Sequence, residues 1–129
     1  MSDDRWPMVE RLTVGALNSR LSDGSRPKAG TRVPPKVETL DGFIRVIRGP
    51  GGDDGVTDSP LLDLEAFHPE QAKAWDLAEA ARQVMLSLQG TTAAGHLIDR
   101  VETASGPVRV EYGPHVERYV ASYRIEFRR

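Results

Sequence analysis

The sequence predicts an α+β domain: a mostly antiparallel β-sheet with an N-terminal helix and a central alanine-rich helix packed on one face. Three observations carry that prediction. Residues 119–127 alternate strictly, with Tyr119, Ala121, Tyr123, Ile125 and Phe127 on one side and Val120, Ser122, Arg124 and Glu126 on the other. This is the pattern of a half-buried strand. Residues 61–67 alternate in the same way, with Leu62, Leu64 and Ala66 opposed to Asp63 and Glu65, as in an antiparallel sheet with one covered face. Between them, Ala74, Leu77, Ala78, Ala81, Val84, Met85 and Leu88 recur at steps of three and four, the buried stripe of a helix. Helical and strand-like segments come in blocks (helix, strands, helix, strands), which argues for segregated rather than alternating layers.

Taken in order, residues 4–22 read as the first helix. Asp3 and Asp4 place negative charge at its start, and Pro7 is tolerated in the first turn. Val9, Leu12, Ala16, Leu17 and Leu21 supply the apolar side, and Asp23-Gly24 marks the stop. Residues 24–42 form an extended arm or loop whose prolines and glycines forbid a continuous helix, with a short strand expected at 31–33 before Pro34-Pro35. Residues 43–48 make a strand, Ile44 and Val46 on one face and Phe43, Arg45 and Ile47 on the other. A Gly/Asp-rich inter-strand loop, 49–60, then leads into strand 61–67. It is too long and polar for a tight hairpin, and long ordered loops are commonly functional. The alanine-rich helix covers about 69–88, opened by Pro69. Residues 97–103 and 108–112 are two strands separated by a turn at Ser105-Gly106-Pro107, and 119–127 closes the chain. We expect a single domain over 1–129, since a chain of this length can hold one core.

The totals exclude several chemistries. The chain has no cysteine, so disulfides, zinc–thiolate sites and cysteine nucleophiles are ruled out. No apolar run approaches the ~18 residues that a membrane span needs, and residues 1–12 lack the apolar centre of a secretory leader. A cytoplasmic setting without membrane contact is therefore expected. The net charge of −2 is unevenly distributed. Residues 1–50 carry nine Lys/Arg against six Asp/Glu, and residues 51–129 carry eight against thirteen. That division suits an asymmetric surface meeting a complementary subunit. Aromatics make up only 6% of the residues, a poor platform for nucleic acid.

Motifs for catalysis or ligand binding are missing. The stretch GPGGDDGVTDSP lacks the Gly-Lys-Ser/Thr ending of a phosphate loop and is followed by a strand rather than a helix. Its aspartates lack the spacing and terminal Glu of an EF-hand. His68, His96 and His115 are far apart, with no paired spacing for a metal. Asp63 and Glu65 share a strand face and could in principle act as acid and base, but an exposed strand face is the plainer reading. The expectation is no catalytic residue, no metal and no cofactor.

The motifs FIRVIRGPGG, DDGVTDSPLLDLEAF, PEQAKAWDLAEAAR and GPVRVEYGPHVERYVASYRIEFRR, following an N-terminal helix, resemble the tail terminator proteins of long-tailed phages, particularly those of actinobacterial phages. The resemblance spans about 5–129. One departure is Glu117 before Arg118, where the family pattern places a second basic residue.

The resemblance implies a non-enzymatic virion protein, assembled in the host cytoplasm and residing in the tail or neck. It implies a homohexameric ring on the head-proximal end of the tail tube that stops tube polymerisation. The ring would contact the tail tube protein and the head–tail connector or stopper protein, while genome DNA passes through its lumen without specific binding. Candidate interface residues are Arg32, Lys36, Arg48, Gly51, Gly52, Asp53, Asp54, Asp58, Trp75 and Arg118. Asp53, Asp54 and Asp58 would give a lumenal or tube-facing acidic loop on which phosphates find no counter-charge. The alternatives are another neck ring, such as a head-completion or stopper protein, a small oligomeric α+β enzyme, or a nucleic-acid-binding module.

Overall fold

A computed structural model describes residues 8–22, 27–49, 52–53, 57–93 and 95–128. The elements in order are α1 (Val9–Leu21), β1 (Ala29–Gly30), a 3-10 turn (Val37–Thr39), β2 (Phe43–Arg48), β3 (Gly52–Asp53), β4 (Thr57–Ser59), β5 (Leu61–His68), α2 (Gln71–Ser87), β6 (Thr92–Ala93), β7 (His96–Arg109) and β8 (Glu117–Arg128). The eight strands form one sheet. Apart from the parallel pair β1–β2, its ladders are antiparallel. The α+β class read from the sequence is the class observed.

Strand β8 is the centre of the sheet. One edge pairs with β5 from His68↔Glu117 to Leu61↔Arg124, then with β4 at Asp58↔Phe127 and Thr57↔Arg128. The other edge pairs with β7 from Arg109↔Tyr119 to Leu97↔Arg128. Its alternation sorts side chains as expected. Ala121, Tyr123, Ile125 and Phe127 are buried under the helices with Ile44, Val46, Leu62 and Leu64. Full burial of one such large side chain stabilises the fold by about 1.5–3 kcal/mol.

Helix α2 reaches this core with Ala74, Ala78, Ala81, Val84 and Met85. Its alanines have no bulk beyond Cβ, so the helix axis can lie close to β5 and β8. Helix α1 buries Val9, Thr13 and Leu17, one side of the helix at four-residue steps. Thr13 was not expected on that face; Leu12, Ala16 and Leu21 are only partly buried. The predicted start of this helix, residues 4–7, lies outside the described residues.

Three expectations need correction. The arm does not make a strand at 31–33; its strand is Ala29–Gly30. The reason is Asn18 on α1, whose Oδ1 accepts the Lys28 and Ala29 N–H groups at 2.8 Å each, while its Nδ2 donates to the Ala29 carbonyl at 3.1 Å. The rest of the arm folds onto the sheet face away from the helices, where Val37, Phe43, Phe67 and Val116 form a second small core with Val33 and Leu40. Gly42 ends the arm at φ +96°, where a Cβ would meet Leu77 Cδ2 at 3.1 Å.

Nor is 49–60 a plain loop. Pairing resumes beyond Gly49-Pro50, with Gly52↔Ser59 and Asp53↔Asp58, so β2–β3 and β4–β5 are two interrupted strands of one long hairpin. Pro60 interrupts the second of them, yet its carbonyl still accepts Ile125 N–H at 3.2 Å. Finally, Ser105-Gly106-Pro107 is not a turn. Strand β7 runs through it, absorbing the misfit as register shifts between Thr103/Ser105 and Ser105/Val108. Proline fits there because β7 lies at the sheet edge, where its missing N–H breaks no ladder.

Asn18→Ala removes the acceptor of two backbone N–H groups, and a loss of about 1–3 kcal/mol is expected. Denaturant unfolding with an unchanged midpoint would show that Asn18 does not tie β1 to α1.

Candidate functional site

The sheet face away from the helices is built around Glu65, whose side chain is only 8% exposed. A buried carboxylate is costly unless paired on both oxygens. Arg45, its register partner on β2, reaches one oxygen at 2.6 Å, and Arg118 on β8 reaches the other at 2.9 Å. Arg118 has little left to offer a partner. Its Nε donates to the Val110 carbonyl at 3.2 Å, its Nη2 donates to that of Glu111 at 3.1 Å, and its guanidinium lies 5.2 Å from the centre of the Tyr112 ring. Tyr112 in turn packs edge-on against Phe67 at 4.9 Å. Beside this network, Ser122 donates to Asp63 at 2.6 Å.

The face is therefore a set of neutralised cross-strand pairs. Glu65 is contacted by two arginines and Asp63 accepts a hydrogen bond from the Ser122 hydroxyl. Among the described residues no three His, Cys, Asp or Glu side chains converge to hold a metal ion. His68 is buried as a connector: its Nε2 bonds Asp41 at 3.0 Å and its Nδ1 accepts the Glu70 N–H at 2.9 Å. It thus joins the end of the arm to the start of α2. The hydrogen bond from His68, helped by Lys28, holds the Asp41 carboxyl below the usual carboxylate range. Tyr123 sits in the core, and burial pushes its phenol up to about 12.

The residues singled out in the sequence fall in three places. Arg32 lines an apolar groove of about 400 Å³ with Pro27, Pro34, Pro35, Leu40 and Phe43. Lys36 is exposed next to it, at φ +57°, a backbone conformation uncommon for a side chain with a Cβ. Arg48 and Asp58 meet each other at 3.7 Å across the hairpin. Asp58 is 2% exposed, so it is part of the fold and not an open acidic group. Gly52 and Asp53 belong to β3, while Gly51 and Asp54 lie outside the described residues.

Trp75 projects from α2 with 41% of its surface exposed, edge-on against Tyr119 at 5.4 Å. The structure brings Arg32 and Lys36 together, and Arg48 and Asp58 together; it keeps Trp75 and Arg118 apart from both pairs. Sequence reasoning missed Asn18, Arg45 with Glu65, and Tyr112. Only Arg45 with Glu65 left a legible signal, as opposite charges on facing alternations of adjacent strands.

A family model described as phage tail termination protein matches residues 5–129. No curated protein matches the chain.

Two acids, the exposed Asp41 and the half-buried Glu117, give the fold an acid-sensitive component. Arg109 lowers Glu117 through a hydrogen bond at 2.8 Å, and His68 lowers Asp41. Since both folded values are depressed, their contribution is present above the unfolded carboxylate value of about 4 and is lost as pH falls through the folded values. Glu117→Gln and Asp41→Asn should flatten that acid limb in denaturation midpoints measured against pH; an unaltered limb would contradict both assignments.

Proposed function

We propose that this chain, which belongs to the phage tail termination protein family, ends growth of the tail tube as a ring on its head-proximal end and joins tail to head. The family establishes the coarser role, a structural protein of the virion tail. The match across 5–129 is the observation that carries the finer reading, because it takes in every element of the sheet and both helices. A structural family also supports a role without catalysis or cofactor.

The particulars are a homohexamer of single-domain subunits, spanning 1–129, in a long-tailed phage of an actinobacterial host. One face contacts the tail tube protein, the other contacts the connector or stopper protein, and assembly takes place in the host cytoplasm. Physical features support this reading. A closed ring needs two different patches per subunit, and the charge is divided between the two parts of the chain. Asp53, on β3 of the long hairpin, and Asp54 are the candidates for an acidic lumen past which DNA slides. Asp58, Arg48 and Arg118 stabilise the subunit that presents these surfaces.

Phage lacking the protein should produce abnormally long tail tubes and no joined virions. Tails of normal length would contradict the role. Shortening residues 51–57 should leave the melting temperature of the subunit nearly unchanged and weaken attachment to tubes, measured by co-sedimentation. An unfolded subunit would instead make the hairpin end part of the core.

A further inference from the structure

We propose that His68 is a proton-operated latch on the start of α2. With Nδ1 bare, the ring closes the first turn of the helix. A second proton on the ring opens that turn while the arm stays attached through Asp41.

The contacts dictate which nitrogen carries the proton of the neutral ring. The Glu70 N–H is a backbone donor directed at Nδ1 at 2.9 Å, so Nδ1 accepts with its lone pair. The proton is then on Nε2, which donates to Asp41 Oδ1 at 3.0 Å. The residue is 6% exposed, so water has little access to either bond.

The two bonds respond differently to a second proton, because an imidazolium donates from both nitrogens. Nothing is lost toward Asp41, since Nε2 donates in both forms and an ion pair is gained. Toward α2, the new proton would face the Glu70 N–H, and two donors cannot bond each other. A positive charge ahead of the first turn also opposes the helix dipole. Glu70, the cap residue, makes no side-chain cap hydrogen bond that could compensate.

The charges around the ring come from each element packed near it. Lys28 and Asp41 of the arm line a cleft with His68 and with Lys73 and Asp76 of α2. Two cations thus stand against two acids, and of these Asp41 hydrogen-bonds the ring. Lys73 is engaged by Glu70 at 3.2 Å. Glu117, the register partner of His68 on β8, is bound by Arg109 at 2.8 Å. Glu38 of the 3-10 turn is exposed.

Opening the turn would alter the surface of α2. Gln71 donates to the Tyr119 hydroxyl at 3.1 Å, and Trp75 rests edge-on against the same ring. A first turn released from His68 carries Gln71 off Tyr119 and changes the setting of Trp75. Imidazoles ordinarily take the second proton above the carboxylate range. The turn therefore opens before the acid limb of Asp41 and Glu117 is reached.

Nuclear magnetic resonance of the isotope-labelled full chain, from about pH 8 to about pH 5, tests the latch. At the upper end, long-range proton–nitrogen correlations should place the His68 proton on Nε2. As the ring takes its second proton, the Glu70 amide should shift in step. The protection of Ala74, whose N–H bonds the Glu70 carbonyl at 3.0 Å, should fall about tenfold, while protection within β5 is kept. His68→Gln should remove this pH dependence, and a dependence that persists there overturns the latch. If that variant does not fold, the titration of the natural chain decides. A proton on Nδ1 at the upper end, a ring that takes no second proton while the chain stays folded, or Ala74 protection indifferent to the ring would each overturn it. Protection lost equally from α2 and β5 would also overturn it, as global unfolding.

Discussion

The fold depends on β8 being hydrogen-bonded along both of its edges. One strand holds β5 and β4 on one side and β7 on the other, so the two long hairpins cannot separate without exposing its backbone groups. Its alternation also sets the two faces. Tyr123, Ile125 and Phe127 fix where the helices pack, and the residues between them fix a polar face that the helices do not cover. On that second face Glu65 draws Arg45 and Arg118 inward, and Arg118 holds the backbone at 110–111 in place. The charges there serve the subunit before they can serve any partner.

This division explains which features remain for assembly. β7 is the long edge strand, but its register shifts and Pro107 make it a poor template for another strand. Contacts through side chains are better placed. The groove around Phe43 and the aromatic projection of Trp75 are formed by parts of the chain already fixed in the monomer, the arm by Asn18 and α2 by His68. Rigid surfaces bind a partner at lower entropic cost than segments that order on binding.

The strands and the central helix were legible because burial imposes a period on them. The helix-side faces of β2, β5 and β8 follow their alternation, whereas the other face of β5 departs from the expected exposure because Glu65 and Phe67 are buried too. Failures occur where one side chain or one edge overrides local propensity. Ser105-Gly106-Pro107 has the composition of a turn, but an edge strand tolerates it. The Gly/Asp stretch after β2 reads as a loop, but pairing across the hairpin extends into it. Ala29–Gly30 has poor strand propensity and is a strand only because Asn18, eleven residues earlier, binds its backbone. Asp58 resembles an exposed loop acid in composition, whereas its pairing with β8 and its contact with Arg48 bury it. Among the candidate residues, Arg32, Lys36 and Trp75 are exposed side chains with distinct surroundings. The partial burial of Arg118 depends on Glu65, Tyr112 and two carbonyls, a convergence no sequence pattern records.

The central claim is that the folded chain caps a growing tube. It is tested most directly by adding the purified protein to polymerising tail tube protein and measuring tube lengths by electron microscopy. Lengths that shorten with increasing dose, with a ring at one end of each tube, are the predicted result. A length distribution unaffected by the protein at any dose would contradict it.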